Sequence, residues 1–454
     1  MSTVTTMIGD ALPTFAGRLL QPGTAGYDEA RRVHNGLIDK RPALIAQCRG
    51  MADIADAVKL GRSMGVEVAV RGGGHNVAGR ATTNGGLMID LSQMRSVLVD
   101  PEQRTARVQG GATWADVNRE TQAYGLAVTG GAISSTGVAG LTLGGGLGWL
   151  MSKQGMTLDN LLAVDLVMAD GRLARASARE NPDLFWAVRG GGGNFGVAGT
   201  FEFQLHQVGP SLIGGIVAWP FDRARDVLRF YRDFTMTVSD DAMAFAAMLT
   251  APDGATKLVG IAAGHFGPTA TAEAELAPIK AFGAPVLDTL GPVPYVVLNT
   301  MLDASFPKGA LNYWKSHFVE SLTDAAIDTL IAQFAACPTP MGQLMLEHFH
   351  GAATRVPVGD TAYALRQEGY NTLIVSEWLD PAQNDACKRW AREAYDAIRP
   401  LGGPRRYVNY LDDDDSVEAT LAAVYGANLP RLREIKKKYD PENFFRLNLN
   451  IPPA

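Results

Sequence analysis

Residues 71–80 have the sequence RGGGHNVAGR, in which three glycines stand directly before His75. Glycine lets a backbone approach a ligand closely and leaves its N–H groups unshielded, so such a loop is suited to hold a ligand. The preceding VEVAV at 66–70 is rich in β-branched residues and predicts a strand. We therefore expect a loop at a strand end that holds His75 against its ligand. A plain turn with a surface histidine is the alternative that these ten residues leave open.

Length and composition limit the class of protein. The chain has 454 residues, more than one ordinary core supports, so we expect two domains. The net charge of −6, with no polybasic run, argues against nucleic-acid and anionic-membrane partners. The N-terminus does not have the pattern of a signal peptide, and no apolar run is long enough to cross a bilayer, so we expect a cytoplasmic location. Cys48, Cys337 and Cys387 are far apart and predict reduced thiols, not a disulfide framework or zinc site.

Hydrophobic periodicity predicts a mixed first half and a sheet-rich second half. For the first half, we predict strands at 43–47, 66–70, 86–92, 105–111, 161–171 and 197–205, and helices at 51–64 and 113–124. For the second half, we predict strands at 258–266, 343–351 and 372–378, and helices at 227–236 and 324–336. The second half therefore reads as a domain built on an antiparallel sheet. The acidic run 412–415 predicts a solvated loop or helix cap, with a metal site as an alternative.

Two further glycine-rich segments need an explanation. Residues 130–150 are too broken for a helix interior and too apolar for a solvated linker, so their N–H groups need partners such as a polar cofactor. GGGGNFG at 190–196 contains the G-x-G-x-x-G spacing of a dinucleotide fold, starting from Gly191. However, it follows a helix-like segment and leads into a strand-like one, the reverse of the dinucleotide arrangement. We interpret that match as accidental.

Taken together, the motifs resemble one flavoprotein family over nearly the whole chain. RGGGHN at 71–76, the small-residue run 131–148, and LDNLLAVDLVMADG at 158–171 with NPDLFWAVRGGGGNFGV at 181–197 occur in the family's order. YVNYLD at 407–412 and YDPENFFRLNLNIPP at 439–453 are similar to its berberine-bridge branch, and in particular to bacterial nicotine oxidases. The family is that of vanillyl-alcohol oxidase and p-cresol methylhydroxylase. The resemblance implies an α+β fold with an FAD-binding domain at 1–205, an inserted substrate domain at 206–404, and a C-terminal segment at 405–454 that completes the first domain.

The resemblance also implies a covalently bound FAD. His75 matches the family's flavin-linking histidine, attached to the flavin 8α carbon. Such a link prevents loss of the cofactor and raises its reduction potential. Ile133 stands where some relatives have a second linking cysteine, so we expect a single link. The expected cofactor-binding residues are Arg71, Gly72, Gly73, Gly74, His75, Asn76, Gly79, Ser134, Thr136, Gly137, Gly140, Gly146, Val197, Asn448 and Asn450.

Thr136 matches the position that controls oxygen access in this family. A valine-sized residue there goes with reactivity toward oxygen, which favours an oxidase over a dehydrogenase. The alternative is that Thr136 only hydrogen-bonds a neighbouring backbone group.

Three residues are expected to face the substrate: Tyr410, His348 and His350. Tyr410 matches the family's catalytic tyrosine, which can take a proton from a substrate hydroxyl, although a packed tyrosine is the alternative. If residues 407–412 form a strand, Asp412 shares its face.

The strand 343–351 has two faces, one with His348 and His350 and the other with Glu347 and Phe349. Aligned on the following glycine, the histidines face the flavin, and we favour this register. Aligned on Leu-Glu, Glu347 and Phe349 face it instead. A His-x-His metal site is a third option, but no third ligand is evident, so we expect no metal. Arg355 falls near the place of the plant enzymes' catalytic acid, which argues against benzylisoquinoline chemistry.

The resulting expectation is an FAD-dependent oxidase of a small molecule. An alcohol or amine carbon gives a hydride to flavin N5, and O2 reoxidises the flavin to give hydrogen peroxide. Tyr410 favours an alcohol or sugar as substrate, whereas overall similarity favours an amine or alkaloid. A flavoenzyme of natural-product tailoring or antibiotic resistance, acting on a larger compound, is the alternative. The expected partners are the substrate and O2, with a homodimer left open.

Overall fold

The structure is a computed structural model that describes residues 14–412, 414 and 416–454. Residues 1–13, which carry most of the segment considered as a signal peptide, lie outside the described residues. Asp413 and Asp415 of the acidic run do so too. Within the described ranges, no helix is both long and apolar enough to cross a membrane.

The first half contains two sheets that pack through short helices. Its strands are β1 (Arg18–Leu20), β2 (Leu44–Gln47), β3 (Val68–Arg71), β4 (Leu87–Asp90), β5 (Val97–Asp100), β6 (Thr105–Gln109), β7 (Leu126–Ala127), β8 (Leu161–Val167), β9 (Leu173–Ser177) and β10 (Val197–Gln204). Its helices are α1 (Tyr27–Ala30), α2 (Met51–Met64), α3 (Trp114–Gln122), α4 (Val138–Leu143), α5 (Met151–Gln154) and α6 (Pro182–Val188). One sheet has the order β1-β2-β4-β3, and the other is the antiparallel sheet β5-β6-β10-β8-β9.

The glycine loop begins where β3 ends. Strands β3 and β4 are parallel and buried, and α2 covers them with Ile54, Ala57 and Val58. Helix α2 ends at Gly65, whose φ of 62° suits glycine at a helix C-terminus. The loop after β3 is therefore anchored to a rigid layer.

The second half contains one large antiparallel sheet. Its strands are β12 (Ser211–Pro220), β13 (Ala242–Thr250), β14 (Lys257–His265), β15 (Leu287–Asp288), β16 (Gly291–Pro294), β17 (Leu311–Val319), β18 (Gln343–Phe349) and β19 (Gly369–Trp378), preceded by the short β11 (His206–Gln207), which pairs with β7. The order is β15-β12-β14-β13-β18-β19-β17, and β16 pairs with β12. The helices are α7 (Ala224–Thr235), α8 (Thr269–Ala281), α9 (Tyr295–Thr300), α10 (Asp324–Ala335), α11 (Ala352–Arg355) and α12 (Asn384–Ile398). Helices α7, α8, α10 and α12 pack on one face and leave the other toward the first half.

The C-terminal segment returns to the first half. Helices α13 (Val417–Tyr425) and α14 (Leu429–Tyr439) pack into the same core as β6, β10 and α6. The buried ammonium of Lys436 donates hydrogen bonds to the carbonyl oxygens of Asn194 (2.7 Å) and Phe445 (2.8 Å) and pairs with Asp440 (2.6 Å). A buried charge with all of these partners fixes the tail to the 192–194 turn. The exact domain boundaries at 205 and 404 stay a prediction.

Most predicted elements are present, and two segments differ. The segment 130–150 contains the short helix α4, because Val138, Ala139, Thr142 and Leu143 are buried on one side of it. Residues 408–410 form a 3-10 turn and not a strand. Consequently, Asp412 does not share a face with Tyr410. Its carboxylate pairs with Lys315 at 3.0 Å and with Arg406 at 3.3 Å.

Candidate active site

A large cavity lies between the glycine loops of the first half and the open face of the large sheet. The glycine wall is formed by residues within the segments 72–76, 131–144 and 192–198 and by residues 448 and 449 of the tail. The sheet wall is formed by side chains of β17, β18 and β19, by Leu302 and Phe306, and by residues 407–410. Of the residues expected to bind the cofactor, ten line the cavity: Gly72, Gly73, Gly74, His75, Asn76, Thr136, Gly137, Gly140, Val197 and Asn448.

The glycine wall depends on close contact between two backbones. A Cβ on Gly73 would lie 2.4 Å from both the Cα and the N of Gly137. Real Cβ contacts are never so short, so both positions need glycine. A Cβ on Gly140 would meet no protein atom within 4 Å, because this residue faces open cavity. The two loops therefore pack closely against each other at Gly73 and Gly137 and leave the backbone at Gly140 accessible from the cavity. A bound cofactor needs both features.

His75 lies at the end of the first loop with its ring held on several sides. The ring stacks on His34 with 4.0 Å between ring centroids and 23° between planes. Nε2 lies 3.0 Å from the Ser135 hydroxyl oxygen, and Nδ1 lies 3.5 Å from the Thr136 hydroxyl oxygen. Burial, with a smaller effect of His34, lowers the pKa of His75 to about 3. The imidazole is therefore neutral and nucleophilic at physiological pH.

The residues present fit an FAD. The glycine loops offer unshielded backbone along the wall, and the Tyr425 hydroxyl on the same wall is buried without a partner among the described residues. An orphaned buried hydroxyl is costly, and a polar ligand in the cavity would satisfy it. The glycine loops, His75, Tyr425 and Asn448 would hold the cofactor.

Five expected cofactor residues do not line the cavity, and each has a different neighbour. The guanidinium of Arg71 makes a two-point ion pair with Asp90, at 2.9 and 2.6 Å. Ser134 donates to Asp303 through its N–H (2.8 Å) and its hydroxyl (2.5 Å). These two residues hold the loops in place but do not reach a ligand in the cavity.

Two of the other three, Gly79 and Gly146, support the loops through their backbone. Gly79 packs against Ile38 with a φ of 70°, and Gly146 donates its N–H to the Tyr407 hydroxyl at 3.1 Å. Asn450 follows the wall residues 448 and 449 and is not itself part of the wall, and its side-chain Oδ1 is buried without a hydrogen-bond partner among the described residues. The expected cofactor-binding residues thus divide into ten that line the cavity and five that do not, and their contacts with the cofactor stay a prediction.

The sheet wall is mostly apolar. Phe306, Met345 and Leu373 form a small core with Val375, and Ile133, Trp314 and Tyr410 pack against it. Glu347 is the one acidic residue that the described wall presents to the cavity. Such a wall suits a largely apolar ligand with one polar group.

Glu347 is held by two hydrogen bonds. The Tyr410 hydroxyl donates to its Oε1 at 3.0 Å, and the Asn371 amide donates to its Oε2 at 2.6 Å. Burial raises the pKa of Glu347 to about 7, although both hydrogen bonds act in the opposite direction. Burial and the Glu347 charge together raise the pKa of Tyr410 well above 10. Glu347 is thus poised to accept a proton near neutral pH, whereas Tyr410 keeps its own.

The expectation that His348 and His350 face the cavity is wrong. The two rings stack on each other at 4.2 Å between centroids, and His348 also stacks on Tyr370 at 5.2 Å. Because side chains alternate along β18, Met345 and Glu347 face the cavity while these histidines face the helices behind the sheet. The alternative alignment, on the Leu-Glu pair, correctly predicts that the face of β18 with Glu347 is turned toward the cavity. The signal in the sequence was this Leu-Glu pair, since no turn fixes the register of a central strand.

Other residues considered from the sequence lie elsewhere. Arg355 is exposed and pairs with Asp240. Asp412 and Asp414 are bound by Lys315, Arg392 and Arg406. Among the residues with described positions, no group of three or more His, Cys, Asp or Glu side chains could hold a metal ion. Sequence reasoning missed Asn371 and His34, which no local motif marks.

Comparison with known proteins gives a consistent result. The family described as "FAD binding domain" matches residues 42–177, and "Berberine and berberine like" matches residues 406–452. (R)-6-hydroxynicotine oxidase of Paenarthrobacter nicotinovorans is 31% identical over 96% of this chain and 97% of its own length.

Two solved structures extend the comparison. The crystal structure of 6-hydroxy-D-nicotine oxidase from Arthrobacter nicotinovorans superposes with a TM-score of 0.89 at 28% identity, covering 97% of this chain and 99% of that one. Glucooligosaccharide oxidase from Acremonium strictum, described as carrying a 6-S-cysteinyl, 8α-N1-histidyl FAD, gives a TM-score of 0.87 at 26% identity, covering 98% and 99%. The expected two-domain α+β fold is confirmed.

Proposed function

The chain belongs to the berberine-bridge-like branch of the vanillyl-alcohol oxidase and p-cresol methylhydroxylase family of FAD-linked oxidoreductases, and on that premise we propose that it oxidises a small, largely apolar amine. The observation that carries the proposal is the single buried acid, Glu347, on an apolar wall opposite the glycine wall. The bound FAD supplies the redox chemistry, accepting a hydride from the substrate and passing the electrons to O2 to give hydrogen peroxide.

The cofactor is attached through His75 alone. A neutral imidazole on the cavity wall supports this assignment, as does the histidyl flavin of glucooligosaccharide oxidase. Ile133 lines the same cavity where a second, cysteinyl link would need a thiol. Cys48 and Cys387, by comparison, are buried in other parts of the fold.

Glu347 is the proton acceptor in this proposal. Its carboxylate attracts a substrate ammonium into the apolar pocket, takes one proton and leaves the neutral amine from which a hydride can depart. Tyr410 and Asn371 orient the two carboxylate oxygens toward this task. Tyr410 is thus assigned to orient the base and not to act as the base itself. Burial and the neighbouring carboxylate raise the pKa of the Tyr410 hydroxyl, so that its proton is hard to remove.

An alcohol is the second candidate substrate. The Tyr410 hydroxyl, bonded to Glu347 at 3.0 Å, offers a path by which an alcohol proton reaches the carboxylate through the phenol. An oligosaccharide is disfavoured, because a sugar needs many hydrogen-bond partners and the described wall is largely apolar. In both cases Thr136, on the cavity wall, is assigned to control the approach of O2, and Thr136→Leu is expected to slow flavin reoxidation.

The test is a substrate screen by peroxide release, run on wild type and on Glu347→Gln. We expect turnover with small aromatic or alicyclic amines, and its loss in the variant with FAD still bound. Turnover of alcohols alone would favour the second candidate. Wild-type turnover that Glu347→Gln leaves unchanged would contradict the assignment of the base.

A further inference from the structure

We propose that Ser135 is a positioning residue for covalent attachment of the flavin, because its hydroxyl holds the Nε2–H of His75 and so leaves Nδ1 as the nucleophile. This inference rests on the proposed link at His75. Ser135 is exposed and is not part of the cavity wall, whereas Thr136 is. Nε2 therefore points toward Ser135 at 3.0 Å, and Nδ1 is on the side of the cavity-lining Thr136.

Only one ring nitrogen of a neutral histidine carries the lone pair needed for attack. The 3.0 Å contact of Nε2 is an ordinary hydrogen bond, whereas the 3.5 Å contact of Nδ1 lies at the outer limit for one. A hydroxyl can accept as well as donate, and with Ser135 as the acceptor the Nε2–H tautomer uses the shorter contact and leaves the lone pair on Nδ1 toward the cavity. The hydrogen bond that one nitrogen makes thereby sets the reactivity of the other.

His34 restricts the ring from its flat face. It is 7% exposed and stacked on His75, and its backbone N–H donates to the Gly74 carbonyl at 3.0 Å, within the same loop. A 180° flip about the Cβ–Cγ bond would put ring carbons where the nitrogens now lie, and it would have to break the bond to Ser135 and interrupt the stack on His34. The two contacts together select one nitrogen and one orientation.

Attachment needs a route for a proton as well as a nucleophile. The step forms a bond from Nδ1 to the flavin 8α carbon and breaks a C–H bond of that methyl group. Two electrons pass to the flavin ring, and O2 takes them up to give hydrogen peroxide. Two protons balance the step, one from the methyl group and one from Nε2 of the alkylated imidazole. The exposed Ser135 hydroxyl leads the second proton from Nε2 to solvent.

The experiment follows covalent attachment itself and not turnover. Full-length wild type, Ser135→Ala, Ser135→Thr and His75→Ala are depleted of flavin, mixed with FAD in air, and sampled by intact mass under denaturing conditions. Flavin peptides are then isolated, and NMR distinguishes the Nδ1-linked from the Nε2-linked isomer. Ser135 makes no other side-chain hydrogen bond among those described, and it is exposed, so these variants are expected to fold. The backbone of Ser135 also hydrogen-bonds the His75 ring, and both Ser135 variants keep that bond, so they test the hydroxyl alone.

We expect wild type to form only the Nδ1 isomer. Ser135→Ala is expected to couple on the order of 5-fold more slowly, the factor that corresponds to a hydrogen bond worth about 1 kcal/mol, and to yield some Nε2 isomer. Ser135→Thr, which keeps the hydroxyl, should restore both rate and isomer. Wild-type rate and a pure Nδ1 isomer in Ser135→Ala would overturn the inference, as would an Nε2 link in wild type.

Failure of the link itself gives a different result. If wild type acquires no covalent flavin, or His75→Ala retains it, the proposed attachment at His75 is wrong and the role of Ser135 is overturned with it. If wild type couples at His75 and Ser135→Ala behaves identically, only the role of Ser135 is lost.

Discussion

The two walls of the cavity are built on different principles. The glycine wall is made of backbone, and its geometry depends on residues without side chains, such as Gly73 against Gly137. The sheet wall is made of side chains at alternate positions of β17, β18 and β19, such as Met345 and Glu347. Backbone walls are identified by motif, whereas a side-chain wall changes completely when a strand shifts by one residue. In the proposed function, the first wall therefore specifies the cofactor and the second specifies the substrate.

The largest expected effect contrasts the two faces of β18. Glu347→Gln removes the proton acceptor, and we expect kcat/KM to fall by ~10²- to 10⁴-fold while FAD stays bound. His348→Gln, one residue along but on the opposite face, is the matched control and should change kcat/KM by less than ~3-fold. Steady-state peroxide release with bound-flavin absorbance measures both. A larger loss in His348→Gln would reverse the assignment of the faces.

In the glycine wall, we expect added side-chain volume to weaken FAD binding, without any change of charge. Gly73→Ala places a methyl group 2.4 Å from the Gly137 backbone, and overpacking of this kind costs about 1–3 kcal/mol. We expect FAD affinity to fall on the order of 10- to 100-fold. Titration of flavin-depleted protein with FAD gives this affinity.

Gly140→Ala tests whether an added methyl group in this wall contacts the bound cofactor without contacting other protein atoms. Its Cβ would meet no protein atom, and alanine favours helix α4, so the flavin-free chain should unfold at the wild-type temperature or slightly above. If the cofactor lies where Gly140 faces, FAD binding should still weaken. Unchanged binding would place the cofactor elsewhere along this wall.

The pH dependence of activity should come from the ionisation of Glu347 on the sheet wall. Glu347 accepts a proton only when ionised, and its pKa is raised to about 7, so kcat/KM should fall about tenfold per pH unit well below pH 7. Glu347→Gln lacks this limb, whereas any limb from the substrate's own amine remains in both proteins. A wild-type limb near pH 4 would show that Glu347 is not desolvated when the enzyme works.

A smaller effect concerns a second buried acid, Glu377, which lies on β19, the strand that pairs with β18. Glu377 is fully buried, and burial raises its pKa to about 8, only partly offset by the Asn312 amide. Because the folded-state pKa lies above the unfolded value, the folded state loses stability as the pH rises from about 4.5 through 8. Glu377→Gln should therefore raise Tm by a few degrees at pH 9 and change it little at pH 4.5. Thermal unfolding at the two pH values measures the difference, and an equal shift at both would contradict it.

The contrast between the two walls also explains which features could be predicted from the sequence. The helix at 51–64 and the loop 71–80 were predicted closely, because periodicity and glycine placement are local. The pairing of Glu347 with Tyr410 and Asn371 was not, because it joins residues 63 and 24 positions apart on separate elements. Likewise, Arg71 and Ser134 lie inside recognisable motifs, but only tertiary contacts show that Asp90 and Asp303 bind them.

The attachment of the tail through Lys436 sets an order of events in the cell. Asn448 and Leu449 line the cavity whose first glycines are at 72–74, so the cofactor site has no complete wall until the segment that holds them has packed against the first half. A chain that stopped before residue 448 would leave the glycine loops without this part of their wall. The bond proposed at His75 would then form only on chains in which this segment is in place.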